Sequence, residues 1–246
     1  MEFHLTPILA DMKELYLQPI SADRFRQYLS KLQGDTKGDL SLPISGFNPM
    51  GQVLEKIEEL EHLGAEAIMA EAIGEINSLL DQSSGARITM VLNLADDLKG
   101  GWTNFYTTDF DSKFKLQALV RRNFCAPHFW TSESYSEHLI RARTREYAFR
   151  TIYWQNNSKP ITLADHVEQE IFVSANATAG RVPQATFDEI AAYYEANKQS
   201  KEYNLIFNFF YGDAASESLG YKQYGIADLT GYQYAAFVAQ TRKTTS

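Results

Sequence analysis

Three times in this chain a Ser or Thr is followed three residues later by a carboxylate, at the head of a stretch with helical spacing of apolar residues. The three are Ser134-x-x-Glu137, Thr162-x-x-Asp165 and Thr186-x-x-Glu189. In such a capping box each side chain satisfies a backbone N–H that the first helical turn leaves unpaired. The boxes therefore predict helices over 134–152, 162–175 and 186–198. A fourth start is written as Asn48-Pro49, with Asn as cap and Pro in the first turn. The apolar and small residues Ile57, Leu60, Gly64, Ile68, Ala72, Ile76 and Leu79 then line one face to about residue 80. Residues 5–33 read as one or two short helices broken at Pro19, with Ser21 or Asp23 as a cap, and a last helix covers about 229–241.

Strand signals are fewer. Ile88–Leu94 is a short apolar run bounded by turn residues, and 203–210 (Tyr-Asn-Leu-Ile-Phe-Asn-Phe-Phe) is a second one. Thr103–Thr107 reads as a further short strand, whereas 116–124 fits strand or helix equally. Helices outnumber strands and the two kinds do not alternate regularly. The expected class is α+β: about seven helices around a small sheet that includes strands near 88–94 and 203–210. The chain is read as a single α+β domain over 1–246. Its first 50 residues form a helical arm plus a Gly- and Pro-rich loop at 34–50.

Chemistry concentrates between Trp102 and Trp154. This block holds all three Trp, the only Cys (Cys125) and 13 of the 32 aromatic residues. Residues 113–150 carry a local charge of +5 within a chain of net charge −8, so the remainder is −13. Overall acidity argues against a nucleic-acid partner. The local basic block points instead to an anionic small molecule or an acidic partner.

One Cys excludes an internal disulfide and a multi-Cys zinc site. Met1–Leu5 lacks the pattern of a signal peptide, and no apolar run is long enough to span a bilayer, so no membrane is expected and the cytoplasm is the expected location. No Gly-rich phosphate loop follows a strand, and no motif points to a particular cofactor.

Within the block, the helix at 134–152 places Tyr135, Leu139, Ala142, Phe149 and Tyr153 on one stripe, at about 100° per residue. Glu146 falls inside that stripe, within reach of Arg143 and Arg150. A guanidinium fork oriented by a neighbouring carboxylate suits an anionic ligand. The favoured reading is therefore a binding or interaction protein that uses Arg143, Arg150 and Glu146, with Trp102 and Trp130 as aromatic walls. The alternative is a hydrolase-type enzyme, with His128 and Asp109 as catalytic residues beside an Arg, and Asp109 and Asp111 as carboxylate ligands of a divalent metal. Cys125 and His128, three apart across Pro127, could form a dyad only if the fold brings them together.

Overall fold

The computed structural model describes residues 1–34, 39–43, 51–81, 85–98, 103–177 and 187–245. The elements in chain order are β1 (Glu2–Leu5), α1 (Leu9–Leu17), α2 (Ala22–Gln33), α3 (Gly51–His62), α4 (Ala65–Leu79), β2 (Arg87–Met90), β3 (Asn93–Ala95), α5 (Phe105–Phe114), α6 (Gln117–Arg121), β4 (Phe124–Cys125), β5 (His128–Trp130), α7 (Glu137–Asn156), α8 (Leu163–Ala177), α9 (Asp188–Asn197), α10 (Tyr203–Ser218) and α11 (Thr230–Thr245). The architecture is α+β and helix-rich, with eleven helices among the described residues where about seven were expected. None of these helices is long and apolar enough to cross a membrane. The chain folds as two compact units, Met1–Thr151 and Ile152–Ser246.

Among the described residues, the strands all lie in the first unit. β1 lies parallel to β2, with Phe3 opposite Ile88, and β2 lies parallel to β4, with Thr89 opposite Phe124. β3 pairs in parallel with β5, Asn93 opposite His128 and Ala95 opposite Trp130. The two pairs continue each other, because Val91 N–H donates to Cys125 O at 3.1 Å and Asn93 N–H to Pro127 O at 2.9 Å. The expected strand at 88–94 is thus present but divided. Pro127 has no N–H to return to its neighbour, and a missing donor interrupts a ladder.

Residues 2–5, expected to belong to a helical arm, form the outer strand of this sheet. Asn77 of α4 clamps it, accepting from Phe3 N–H at 2.8 Å and donating to Phe3 O at 2.9 Å. That clamp satisfies backbone groups which an edge strand would otherwise offer to another chain.

The helical boundaries differ from expectation where a local residue decides them. The single helix expected over 48–80 breaks at Gly64, whose φ of 66° is the left-handed conformation that glycine adopts without strain. Ser21 caps α2 through Arg24 N–H, as its sequence suggests. Thr103–Thr107 is not a strand, since Asn104 caps α5 by accepting from Thr107 N–H at 3.1 Å. The ambiguous segment 116–124 resolves into α6 followed by the start of β4. α7 is capped by Ser136 and not by Ser134, with Leu139 N–H donating to Ser136 Oγ at 3.2 Å. Asn48, Pro49 and Thr186 lie outside the described residues.

The elements described in the second unit are all helices. The Thr162/Asp165 box forms as read: Thr162 N–H donates to Asp165 Oδ2 at 2.8 Å, and Asp165 N–H to Thr162 Oγ1 at 3.2 Å. The expected strand at 203–210 is instead the first half of helix α10. Residues 205–212 are all buried, so no polar face reveals the period, and a fully apolar run reads alike as strand or helix. Gly212 kinks this helix with φ 82° and ψ −179°. A side chain there would meet the Asp228 backbone at 2.7 Å.

Candidate functional site

The first unit gathers its polar side chains where β5, α5 and α7 meet. Asn93 and His128 are cross-strand partners, and Asn93 Nδ2 lies 2.9 Å from His128 Nε2. His128 Nδ1 lies 3.0 Å from the carbonyl oxygen of Ala126. A carbonyl only accepts, so Nδ1 carries the proton and Nε2 accepts from the Asn93 amide. Burial lowers the imidazole pKa to about 4; the Ala126 carbonyl and the Asp109 carboxylate oppose the shift without cancelling it. The ring is neutral and both of its nitrogens are engaged.

Around the imidazole the ring of Tyr147 is stacked at 6.1 Å and that of Trp130 is tilted at 6.0 Å. Ser112 donates to Asp109 O at 2.8 Å, so the Tyr147 hydroxyl, 2.6 Å from Ser112 Oγ, is the donor in that pair. Burial, with the Asp109 charge beside it, raises the Tyr147 pKa. Asp109 is itself buried and pairs with Lys113 at 2.7 Å. Asp109 and Arg143 therefore share the neighbourhood of His128. A role for His128 as base would, however, need Asn93 to leave Nε2.

Asp109 and Asp111 do not converge. Two positions apart on helix α5 they project about 200° from each other, and Asp111 pairs with Lys115 on the exposed side. Among the described residues, no group of three or more His, Cys, Asp or Glu is arranged to hold a metal ion. Cys125 is buried, and that burial drives its thiol up to about 12.

Arg143 pairs with Glu133 through both ends of its guanidinium. Its Nη1 donates to Glu133 Oε2 at 2.5 Å and its Nη2 to Glu133 Oε1 at 2.7 Å, a two-point fork. Nη1 also donates to His128 O at 3.0 Å, and the guanidinium lies 5.1 Å over the Phe129 ring. Although burial opposes it, the Glu133 hydrogen bonds and charge raise the Arg143 pKa. The side chains of Arg143 and Glu133 remain 16% and 21% exposed, so the fork is reachable from solvent. Beside it, at the carboxyl ends of β3 and β5, Asp96 accepts from Gln52 and from Thr131 Oγ1 at 2.6 Å, and Asp97 accepts from Ser132 Oγ at 2.6 Å.

The other predicted residues fall elsewhere. The fully enclosed stripe of α7 runs through Ile140, Thr144, Tyr147, Ala148 and Thr151; of the stripe traced from Tyr135, which itself precedes the helix, Phe149 is buried while Leu139, Ala142 and Tyr153 are half-buried. Glu146 lies off the enclosed stripe with a third of its side chain exposed, 3.5 Å from Arg150. Arg150 is buried, with its guanidinium 5.6 Å over the Tyr147 ring. Trp130 is 1% exposed and edge-on to Phe105, a core residue and not a wall open to ligand. Trp102 lies outside the described residues. Arg141 and Arg145 reach α4, where they pair with Glu71 and Glu75. Glu133 and Asn93 were missed by the sequence reading. The one signal for Asn93 was an amide in the middle of an apolar run.

The second unit has an open groove of about 750 Å³ lined by Tyr153, Asn157, Glu168, Ile171, Phe172, Ala175, Ala239, Arg242 and Lys243. Comparison with protein-family models, with curated proteins and with solved structures finds no match to this chain.

Proposed function

We propose that the first unit is a binding module for a small anion, and that Arg143 recognises the anionic group. The observation that carries this reading is the two-point fork with Glu133, at 2.5 and 2.7 Å. A guanidinium already oriented to grip one carboxylate in two places grips another carboxylate or a phosphate in the same geometry. Glu133 then acts as a built-in stand-in that the ligand displaces. It sits in the turn after β5, at the carboxyl end of a parallel strand, which is where open α/β sheets hold ligands. The ligand is an anionic small molecule or a carboxylate of an acidic partner. Tyr147, Asn93 and His128 hold the floor beneath the arginine by hydrogen bonds and ring stacking, and Trp130 supports it from the core.

A neutral His128 with both nitrogens engaged supports binding over hydrolysis. Calorimetric titration with inorganic phosphate and with malonate tests the proposal. Glu133→Gln removes the competing charge, and it should bind at least one of the two anions about tenfold more tightly than the unaltered protein, a gain of about 1.4 kcal/mol. Arg143→Gln should bind neither. Equal affinities for the unaltered protein and Glu133→Gln, with circular dichroism unchanged, would reject Arg143 as the recognition residue.

A further inference from the structure

The groove of the second unit sets charge and apolar surface side by side. Its floor is Ile171, Phe172 and Ala175 of α8 with Ala239 of α11, and Tyr153 closes one wall, its ring tilted against Phe172 at 5.7 Å. The rim carries Arg242 and Lys243 in the last turn of α11, together with Glu168. Arg242 pairs with Glu168 through two contacts of 2.9 and 2.7 Å. Lys243 donates to the carbonyl oxygen of Ala175, in the last turn of α8. An ammonium has three N–H donors, so one carbonyl does not exhaust it.

We infer that this groove binds an amphipathic organic anion, with its apolar body on the Ile171–Phe172–Ala175–Ala239 floor and its carboxylate or sulfonate at Lys243. Three features point the same way. The volume falls within the range of about 300–1,000 Å³ typical of small-molecule sites. The three rim charges sum to +1 in a unit whose 152–246 sequence is net −3, so the local sign selects an anion against the prevailing field. Arg242 is turned onto Glu168 by two hydrogen bonds, while Lys243, with one carbonyl on its three N–H groups, keeps donors for a ligand headgroup. Tyr153 and Phe172 add aromatic surface suited to a flat body, and Ile171, Ala175 and Ala239 add aliphatic surface suited to an alkyl chain. Both shapes share the same requirement: an apolar body ending in one negative charge.

Fluorescence titration with 8-anilinonaphthalene-1-sulfonate tests the flat form, and displacement of that dye by laurate tests the chain form. The expected result is saturable binding at one site, with no displacement of the dye by dodecyltrimethylammonium at the concentration used for laurate. Displacement by laurate identifies chain-like anions as ligands, whereas its failure beside saturable dye binding confines the site to flat ones. Lys243→Glu should weaken the dye at least fivefold, with a smaller loss at high salt, because exposed charges are screened there. Ala175→Trp, which fills a partly exposed part of the floor, should abolish binding. Should Ala175→Trp fail to fold, Lys243→Glu decides alone. Dye affinity unchanged in Lys243→Glu, or equal displacement by the cationic amphiphile, overturns the inference.

Discussion

The side-chain amide of Asn93 donates to Nε2 of His128 at 2.9 Å, joining two buried polar residues across adjacent parallel strands. This bond fixes the imidazole as the neutral tautomer with its proton on Nδ1, and it turns a histidine in an aromatic setting into a strut. The surrounding chemistry follows from that choice, since a charged ring here would face both Arg143 and Lys113.

The first expectation concerns pH. Folded His128 titrates near 4, below the roughly 6.5 of an unfolded chain, so between these values the unfolded state binds more protons. The histidine's contribution is complete above about pH 6.5 and is lost as pH falls toward 4, by at most about 3 kcal/mol. His166, also lowered by burial, adds in the same direction. The midpoint of urea unfolding should therefore fall between pH 7 and pH 4.5. By NMR, the His128 Cε1 proton should show no titration above pH 5.5; an inflection near 6.5 contradicts the tautomer assigned here.

Asn93→Leu keeps roughly the volume but leaves His128 Nε2 without its donor. An unsatisfied buried acceptor costs about 1–3 kcal/mol. Chemical denaturation should register that loss, together with a rise in the His128 pKa as the ring seeks a proton from water. A variant as stable as the original would mean that the bond contributes nothing.

Cys125 should be inert in the native state. Burial pushes its thiol to about 12, so almost none is thiolate at neutral pH. Ellman's reagent should react only as fast as the protein unfolds, and fully in denaturant. Rapid stoichiometric reaction of native protein would place the thiol at the surface.

Gly212→Ala should be among the most damaging single changes in the second unit. Its φ of 82° with ψ −179° is a conformation confined almost to glycine, at about 1–3 kcal/mol for other residues. The added Cβ also meets Asp228 backbone atoms that cannot rotate away. Thermal unfolding monitored at 222 nm should shift downward by several degrees, whereas Gly74→Ala, whose Cβ meets nothing within 4 Å, should not lower it.

The sequence made the helices legible where a side chain marks the start, as at Ser21 and at Thr162 with Asp165. It misled where burial erases the pattern. Residues 205–212 are enclosed on every side, so aromatic and β-branched content suggested a strand and tertiary packing imposed a helix. On α7 the buried stripe was hidden because two of its members are threonines. Thr144 and Thr151 donate their hydroxyls to the carbonyls of Ile140 and Tyr147, one turn back, so polar residues sit on an apolar face without unpaired groups. Asp109 and His128 were expected beside an arginine from the clustering of their types in one stretch, and Asp111, expected with them, faces away. The partners Asn93 and Glu133 were not expected, because they are brought in by strand register and by a turn.

The outer strand Glu2–Leu5 finds its place only against residues 87–90, more than eighty positions later. During synthesis residues 2–5 must therefore wait for the ribosome to deliver their neighbour, and they wait again until 124–130 completes the ladder. A fragment released before residue 87 would leave Phe3 with the α4 clamp at Asn77 but no neighbouring strand. Loop closure over such a span makes assembly of the first unit slow relative to its helices, and exposes the nascent chain to aggregation in the interval.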